Sequence, residues 1–205
     1  LLTCLNYANN VNQEFYLSEC LKYSKILEKD LIFEKPRKIS NKNKKIKVAF
    51  LSSDLKKHSV SFFLKDLFFN IDKKIIEIIA LSNLDKNKED RTSEFFKSLI
   101  NQWHVIFDKS DIEVINLIKS LKIDILIDLN GLTKGNRIDI MKNRCAPIQI
   151  CWLGYNNSTG LKNMDYLVAD QNLIKKDEEN LYLEKILFLP KIWNAYSLPA
   201  ELPPC

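Results

Sequence analysis

An aspartate and a histidine lie four residues apart in a polar segment that follows a short apolar run. The run covers residues 46–51, and Asp54 and His58 come after it. A carboxylate can accept a proton from a hydroxyl group, and a neutral imidazole can bind a sugar or phosphate oxygen. The pattern alone leaves two interpretations open. The two residues are either a reacting pair, or an aspartate that caps a turn beside a surface histidine.

Two further polar segments contain all four glycines of the chain. One covers residues 130–137 and includes Thr133 and Lys134, and the other covers residues 154–160. A loop with free backbone N–H groups, a hydroxyl and a lysine at the start of a helix can hold an anion. Glycine permits positive φ angles and close approach of the backbone to a ligand. The concentration of glycine therefore predicts strict backbone geometry, required either by tight turns or by a ligand.

Several common cofactor and metal sites lack their sequence signatures. No G-x-G-x-x-G follows the first apolar run, and no G-x-x-x-x-G-K-[ST] is present, which disfavours dinucleotide and Mg-ATP sites. The five cysteines are scattered, contain no C-x-x-C pair and accompany only two histidines. Zinc-ligand spacing is therefore absent, and we predict reduced, structural thiols in a cytoplasmic protein without a cofactor. His104 follows a tryptophan and precedes apolar residues, which indicates a structural role.

The composition indicates a globular domain and excludes several other classes. The chain has 205 residues, of which 46% are hydrophobic and 28% charged, with a net charge of +5. No apolar run approaches the roughly 18 residues of a membrane span, and no signal peptide is recognisable. Much of the basic charge lies in residues 35–47, so we predict no specific nucleic-acid binding. Because the chain opens without a methionine, we expect it to be part of a longer protein.

The apolar pattern predicts the elements that position the three polar segments. Short continuous apolar runs alternate with amphipathic segments, which is typical of a parallel sheet covered on both faces. We therefore predict an α/β Rossmann-like domain over residues 46–205, preceded by a basic linker (34–45) and a helical connector (1–33). The polar segments then lie at the carboxyl ends of the strands, where such sheets bind ligands. The predicted strands cover residues 46–51, 75–81, 104–107, 123–129, 148–153 and 166–169, and the predicted helices cover residues 12–30, 60–71, 92–100, 112–121 and 137–142.

Ordered blocks of residues resemble the SPINDLY-like O-GlcNAc transferase family between residue 46 and about residue 195. The first block is residues 47–54 with 58–60, and the second is residues 123–131 with 133–137. The third is residues 146–149 with 152–155 and 158–160, and a fourth begins with Met164-Asp165-Tyr166. The first residues and the helix after them also resemble the connector that follows a tetratricopeptide array in this family.

The resemblance implies the amino-terminal catalytic lobe of a GT-B protein glycosyltransferase with two Rossmann-like lobes. Such an enzyme would transfer N-acetylglucosamine from UDP-GlcNAc to Ser or Thr of a protein, with inversion and without a metal or cofactor. By the same resemblance, Asp54 accepts the proton, His58 lies close to the donor sugar and diphosphate, and Lys134 adds positive charge. The implied substrate-binding residues are Asn130, Gly131, Thr133, Leu153, Gly154 and Tyr155.

The sequence also departs from the family pattern. Asn156-Asn157 stands where Pro-Gly is usual, Leu132 replaces a Tyr or His, and Phe62 replaces a histidine of some members. We expect these changes to alter the side chains that line the cleft. Alternatives are therefore another donor, such as GDP-fucose or UDP-glucose, or a non-catalytic binding lobe. A carboxyl-terminal lobe with most of the nucleotide pocket, and upstream helical repeats, would lie outside this chain, so we expect the isolated chain to be inactive.

Overall fold

Seven parallel strands form one sheet at the centre of the computed structural model, which describes residues 1–31, 39 and 45–197. Their order is β3-β2-β1-β4-β5-β6-β7, so the direction of strand addition reverses between β1 and β4. The predicted α/β Rossmann-like fold is therefore confirmed. The reversal is the position at which sheets of this kind bind ligands. The strands are β1 (Ile46–Ser52), β2 (Ile76–Ser82), β3 (Gln102–Val105), β4 (Ile125–Asp128), β5 (Ile148–Cys151), β6 (Tyr166–Ala169) and β7 (Lys185–Phe188).

Helices cover both faces of the sheet, and most begin at a residue that caps the first turn. The Asp90 side chain accepts hydrogen bonds from two backbone N–H groups at the start of α4 (Arg91–Leu99), and Ser110 and Glu113 form a capping box at the start of α5 (Asp111–Leu121). Such caps satisfy N–H groups that have no partner within the helix. The α-helices are α1 (Leu2–Leu5), α2 (Gln13–Leu27), α3 (Ser59–Asn70), α4 (Arg91–Leu99), α5 (Asp111–Leu121) and α6 (Ile138–Met141).

The core consists of one apolar layer on each face of the sheet. Along β1, Phe50 packs into the layer that contains α3 and α4, and Leu51 packs into the layer that contains α5. This alternation follows from the two-residue period of a strand. Phe68 of α3 contacts Phe50 and Phe96 edge to face, with ring centroids 4.9 and 5.5 Å away. The central strands are therefore fixed from both sides, and so are the loops that leave them.

Most predicted elements are present, and the differences have physical causes. The strand predicted over residues 104–107 is Gln102–Val105, because Gln102 pairs with Ile79 of β2 while Phe107 leaves the sheet. The strands predicted over 123–129 and 148–153 end earlier, and β7 was not predicted. Most of the predicted basic linker lies outside the described residues, as do residues 198–205. No helix in the described ranges is long and apolar enough to cross a membrane.

Candidate active site

The loops that follow β1, β4 and β5 meet in one cleft of about 580 Å³ at the carboxyl edge of the sheet. Six of the residues implied by the resemblance line this cleft, two from each loop. Since they lie as far as 100 positions apart in the chain, only the parallel sheet order brings them together. These residues are Asp54, His58, Thr133, Lys134, Leu153 and Gly154.

His58 both caps helix α3 and lines the cleft. Its Nδ1 accepts a long hydrogen bond of 3.4 Å from the backbone N–H of Val60, and Nε2 lies 4.0 Å from Oδ1 of Asp54. Because Nδ1 is an acceptor, the proton of the neutral imidazole belongs on Nε2. His58 therefore presents a donor beside the Asp54 carboxylate. The cap predicted for the aspartate is therefore formed by the histidine, and the two side chains lie next to each other in the cleft.

Within the described residues, the Asp54 carboxylate is held through one oxygen, Oδ2. Oδ2 accepts a hydrogen bond of 2.8 Å from the side-chain amide of Asn130, and the Ser53 hydroxyl lies 3.1 Å from the same oxygen. The backbone N–H of Asp54 donates to Oγ of Ser52 at 2.9 Å. With 18% of its side chain exposed, Asp54 directs Oδ1 towards His58. One oxygen is thus fixed by the protein while the other faces the neighbouring imidazole.

Lys134 lies in a loop that is tied to the loops after β1 and β2. Its carbonyl oxygen is 3.3 Å from the Ser53 hydroxyl, and the next carbonyl, of Gly135, accepts a bond of 3.0 Å from the Asn83 amide. Gly135 has a φ of +81°, and a Cβ there would lie 2.6 Å from the Ser53 side chain. Packing between loops therefore accounts for this glycine, in addition to its turn conformation.

Leu153 and Gly154 form a tightly constrained piece of cleft backbone. Leu153 has a φ of +70°, a left-handed conformation that costs a branched residue about 1–2 kcal/mol. A Cβ on Gly154 would lie 2.1 Å from the carbonyl oxygen of Leu129, so the two loops approach more closely than any side chain permits. Strain of this kind persists where the surrounding structure fixes the backbone, and it is common at binding sites.

Three of the implied substrate-binding residues lie away from the cleft surface. Asn130 is completely buried behind Asp54, and the backbone N–H of Gly131 donates to Asp128 at 3.0 Å. Tyr155 is 5% exposed, contacts the Tyr16 hydroxyl of α2, and accepts a hydrogen bond of 2.8 Å from Asn6. Burial raises the pKa of the Tyr155 phenol. Tyr155 therefore joins the connector to the sheet edge instead of lining the cleft.

The expectation that departures from the family pattern alter the side chains of the cleft is wrong, because none of the changed residues lines it. Leu132 packs against buried Leu2 of the connector and its neighbours. The Asn157 amide accepts a hydrogen bond of 2.8 Å from Gln13 and donates one of 2.8 Å to Asn6. Both side chains thus contact the connector. Phe62 packs against Tyr196 in a tilted arrangement, with ring centroids 5.8 Å apart.

Several cleft residues were missed by the sequence analysis. The loop after β2 contributes Asn83, Asp85 and Lys88, and the loop after β1 also contributes Lys56. The signal was available, because Asn83 directly follows a strand whose carboxyl end lies at the same sheet edge. With Lys134, Asp54 and His58 included, the cleft contains three lysines, two aspartates and a histidine. Such a surface can accept a proton and also face an anionic leaving group.

Comparisons with known proteins agree with this geometry. The family model described as glycosyl transferase family 41 matches residues 11–195. The chain is 30% identical over 160 residues to a protein from Oryza sativa subsp. japonica named probable UDP-N-acetylglucosamine–peptide N-acetylglucosaminyltransferase SPINDLY, covering 77% of this chain and 17% of that protein. It is 29% identical over 147 residues to a protein from Arabidopsis thaliana named probable UDP-N-acetylglucosamine–peptide N-acetylglucosaminyltransferase SEC, covering 72% of this chain and 15% of that one.

A solved structure extends the similarity to the whole chain. The K341M mutant of the Thermobaculum terrenum O-GlcNAc transferase superposes with a TM-score of 0.91 at 25% identity, covering 100% of this chain and 39% of that one. The chain therefore spans less than half of the relatives it matches. The family resemblance carried by the sequence blocks is confirmed, and the chain belongs to glycosyl transferase family 41.

Proposed function

We propose that this chain is the amino-terminal catalytic lobe of a GT-B enzyme that transfers N-acetylglucosamine from UDP-GlcNAc to Ser or Thr of proteins. The observation that supports this most is the meeting of Asp54, His58 and Lys134 in one cleft at the point where strand order reverses. The named relatives support the choice of donor and acceptor. The transfer inverts the anomeric carbon and uses no metal.

Each of the cleft residues has a separate role in the proposed reaction. The acceptor hydroxyl attacks the anomeric carbon as the bond to the UDP oxygen breaks, and the hydroxyl proton passes to Oδ1 of Asp54, directly or through water. His58 donates from Nε2 to the donor sugar or its diphosphate. Lys134 adds positive charge near the leaving group, where negative charge develops. The constrained backbone at Leu153 and Gly154 forms the wall beside the sugar, which orients it for in-line attack.

The proposal includes a second lobe and a cytoplasmic location. A further Rossmann-like lobe would close the cleft and supply most of the nucleotide pocket, and upstream helical repeats would hold protein acceptors. We therefore expect the 205-residue chain alone not to release UDP from UDP-GlcNAc at the rate of the full-length protein. Normal turnover by the isolated chain would contradict the two-lobe cleft.

Substitution of the two charged cleft residues in the full-length protein tests the function. We expect Asp54→Ala and Lys134→Ala each to reduce transfer at least about a hundredfold, as is usual for acid–base and charge-stabilising groups. The control is Lys162→Ala, because Lys162 is an exposed lysine paired with Glu28 outside the cleft. If transfer activity fell less than threefold in both cleft variants while their melting temperatures were unchanged, the proposed site would be refuted.

The donor is tested separately. Mass spectrometry of acceptor proteins incubated with UDP-GlcNAc, UDP-glucose or GDP-fucose identifies the sugar transferred. We expect a mass increase of one N-acetylhexosamine from UDP-GlcNAc. Transfer of fucose or glucose instead would correct the donor, and binding without transfer from any of the three would indicate a non-catalytic lobe.

A further inference from the structure

Asn130 is a completely buried amide with a partner for each of its polar groups. Its Nδ2 donates to Oδ2 of Asp54 at 2.8 Å and to the Ser53 hydroxyl at 2.9 Å. Its Oδ1 accepts from the backbone N–H of Ser53 at 2.9 Å. Its carbonyl oxygen accepts from the hydroxyl of Thr133 at 2.7 Å. Asn130 therefore joins the loop after β4 to the loop that carries the aspartate.

Asp128 fixes the backbone of this asparagine. The two oxygens of the buried Asp128 carboxylate accept hydrogen bonds of 3.0 Å, one from the N–H of Asn130 and one from that of Gly131. Burial raises the pKa of Asp128 to about 7, while the two N–H donors act in the opposite direction. Asp128 is the last residue of β4 and pairs with β1 and β5 in the sheet. The position of Asn130 is thus set by the core.

We propose that Asn130 is a positioning residue. It determines which oxygen of Asp54 can take the proton from the Ser or Thr hydroxyl of the acceptor protein. By occupying Oδ2 from behind, it leaves Oδ1 directed at His58 and the cleft. This inference rests on the proposed function, and it replaces the expected substrate contact of Asn130 with a role in orienting the carboxylate.

The charged groups around Asp54 are consistent with this role. His58 is 4.0 Å from Oδ1, and the cleft around it contains Lys56, Asp85, Lys88 and Lys134. These groups line the same cleft as the carboxylate. On the closed side, Asn130 joins the two carboxylates, because its side-chain amide donates to Asp54 and its backbone N–H donates to Asp128. Loss of the amide would therefore leave Oδ2 without its shortest contact and would free the carboxylate to rotate.

A pair exchange tests the contact without requiring activity. Asn130→Asp places two carboxylates at a 2.8 Å contact, so we expect a lower melting temperature at neutral pH. Adding Asp54→Asn restores one donor and one acceptor, and we expect it to recover at least about half of the loss. The matched control is Asn143→Asp, since Asn143 is equally buried but its amide donates to the Asp139 carbonyl. If Asp54→Asn raised the melting temperature of Asn143→Asp as much as that of Asn130→Asp, the result would overturn the proposal.

Steady-state kinetics of the full-length protein test the role. We expect Asn130→Asp to lower kcat for transfer at least about tenfold while KM for UDP-GlcNAc stays within about twofold, because the amide does not line the cleft. A raised KM with unchanged kcat would instead make Asn130 a donor-binding residue and refute the positioning role. If the wild type transfers no sugar, the proposed function fails and the role in catalysis fails with it, whereas the exchange experiment still decides whether Asn130 orients Asp54.

Discussion

Gly154→Ala is the substitution whose effect follows most directly from the geometry of the cleft. The added Cβ would lie 2.1 Å from the Leu129 carbonyl oxygen, 3.0 Å from its carbon and 3.3 Å from Cα of Asn130. All three atoms belong to backbone, and the N–H of Leu129 is bonded to Leu51 of β1 at 3.0 Å. The clash cannot be relieved by a change of rotamer. The loop after β5 must therefore move by about 1 Å to reach ordinary contact distance.

The expected cost follows from forced overpacking. Inserting a methyl group where backbone must move costs about 1–3 kcal/mol, and 1 kcal/mol corresponds to about 2–4 °C in the melting temperature of a domain of this size. We expect Gly154→Ala to melt roughly 2–12 °C lower than the wild type. Because Gly154 lines the cleft, we also expect weaker binding of the sugar nucleotide by the full-length protein.

Gly160→Ala is the matched control. Gly160 has a φ of +74°, so alanine is strained there too, but its Cβ would meet the side chains of Tyr23 and Leu2 at 3.0 and 3.3 Å. Flexible side chains can yield, and the position faces the connector. We therefore expect a loss of about 2–8 °C with sugar-nucleotide binding unchanged. A melting temperature for Gly154→Ala within about 1 °C of the wild type would refute the close approach of the two loops.

Three further substitutions test buried polar groups. Burial raises the pKa of Glu184, so its contribution to stability is greatest in acid and falls as the pH rises above the ordinary value of 4.5. Glu184→Gln, which keeps a partner for Ser158, should therefore reduce the fall in the urea-unfolding free energy as the pH rises above 4.5. Tyr16→Phe removes the hydroxyl that contacts Tyr155 and should cost about 1–3 kcal/mol by urea unfolding. Gln149→Leu leaves the carbonyls of Met141 and Asn163 without their partner in the core and should cost about 2 kcal/mol or more, seen as a large drop in melting temperature.

The sequence predicted the centre of the fold because buried parallel strands are continuous apolar runs. Residues 46–51, 148–151 and 166–169 carry that signal, and each is a strand. The strands at the edges of the sheet were harder to predict. In β7, Ile186 is buried while Leu187 is 40% exposed, so the segment lacks the uninterrupted burial of a central strand. The bounds of β3 depend on its register with β2, which apolar periodicity does not contain.

The candidate site was likewise predicted from the sequence only in part. The rule that ligands bind at the carboxyl ends of strands brought Asp54, His58 and Lys134 to one edge, and the structure places them in one cleft. The rule does not say which residues of a loop face the cleft and which face a neighbouring element. Tyr155 turns towards Tyr16, and Asn130 lies behind Asp54, because tertiary contacts with the connector and β1 decide their orientation.

The most direct test of the account is a structure of the full-length protein with UDP-GlcNAc bound. We expect the sugar and diphosphate to contact all three loops, with the anomeric carbon on the side of Asp54 that carries Oδ1, and His58 and Lys134 beside the diphosphate. Binding of the sugar nucleotide at a surface that none of the three loops reaches would contradict the assignment of this cleft as the donor site.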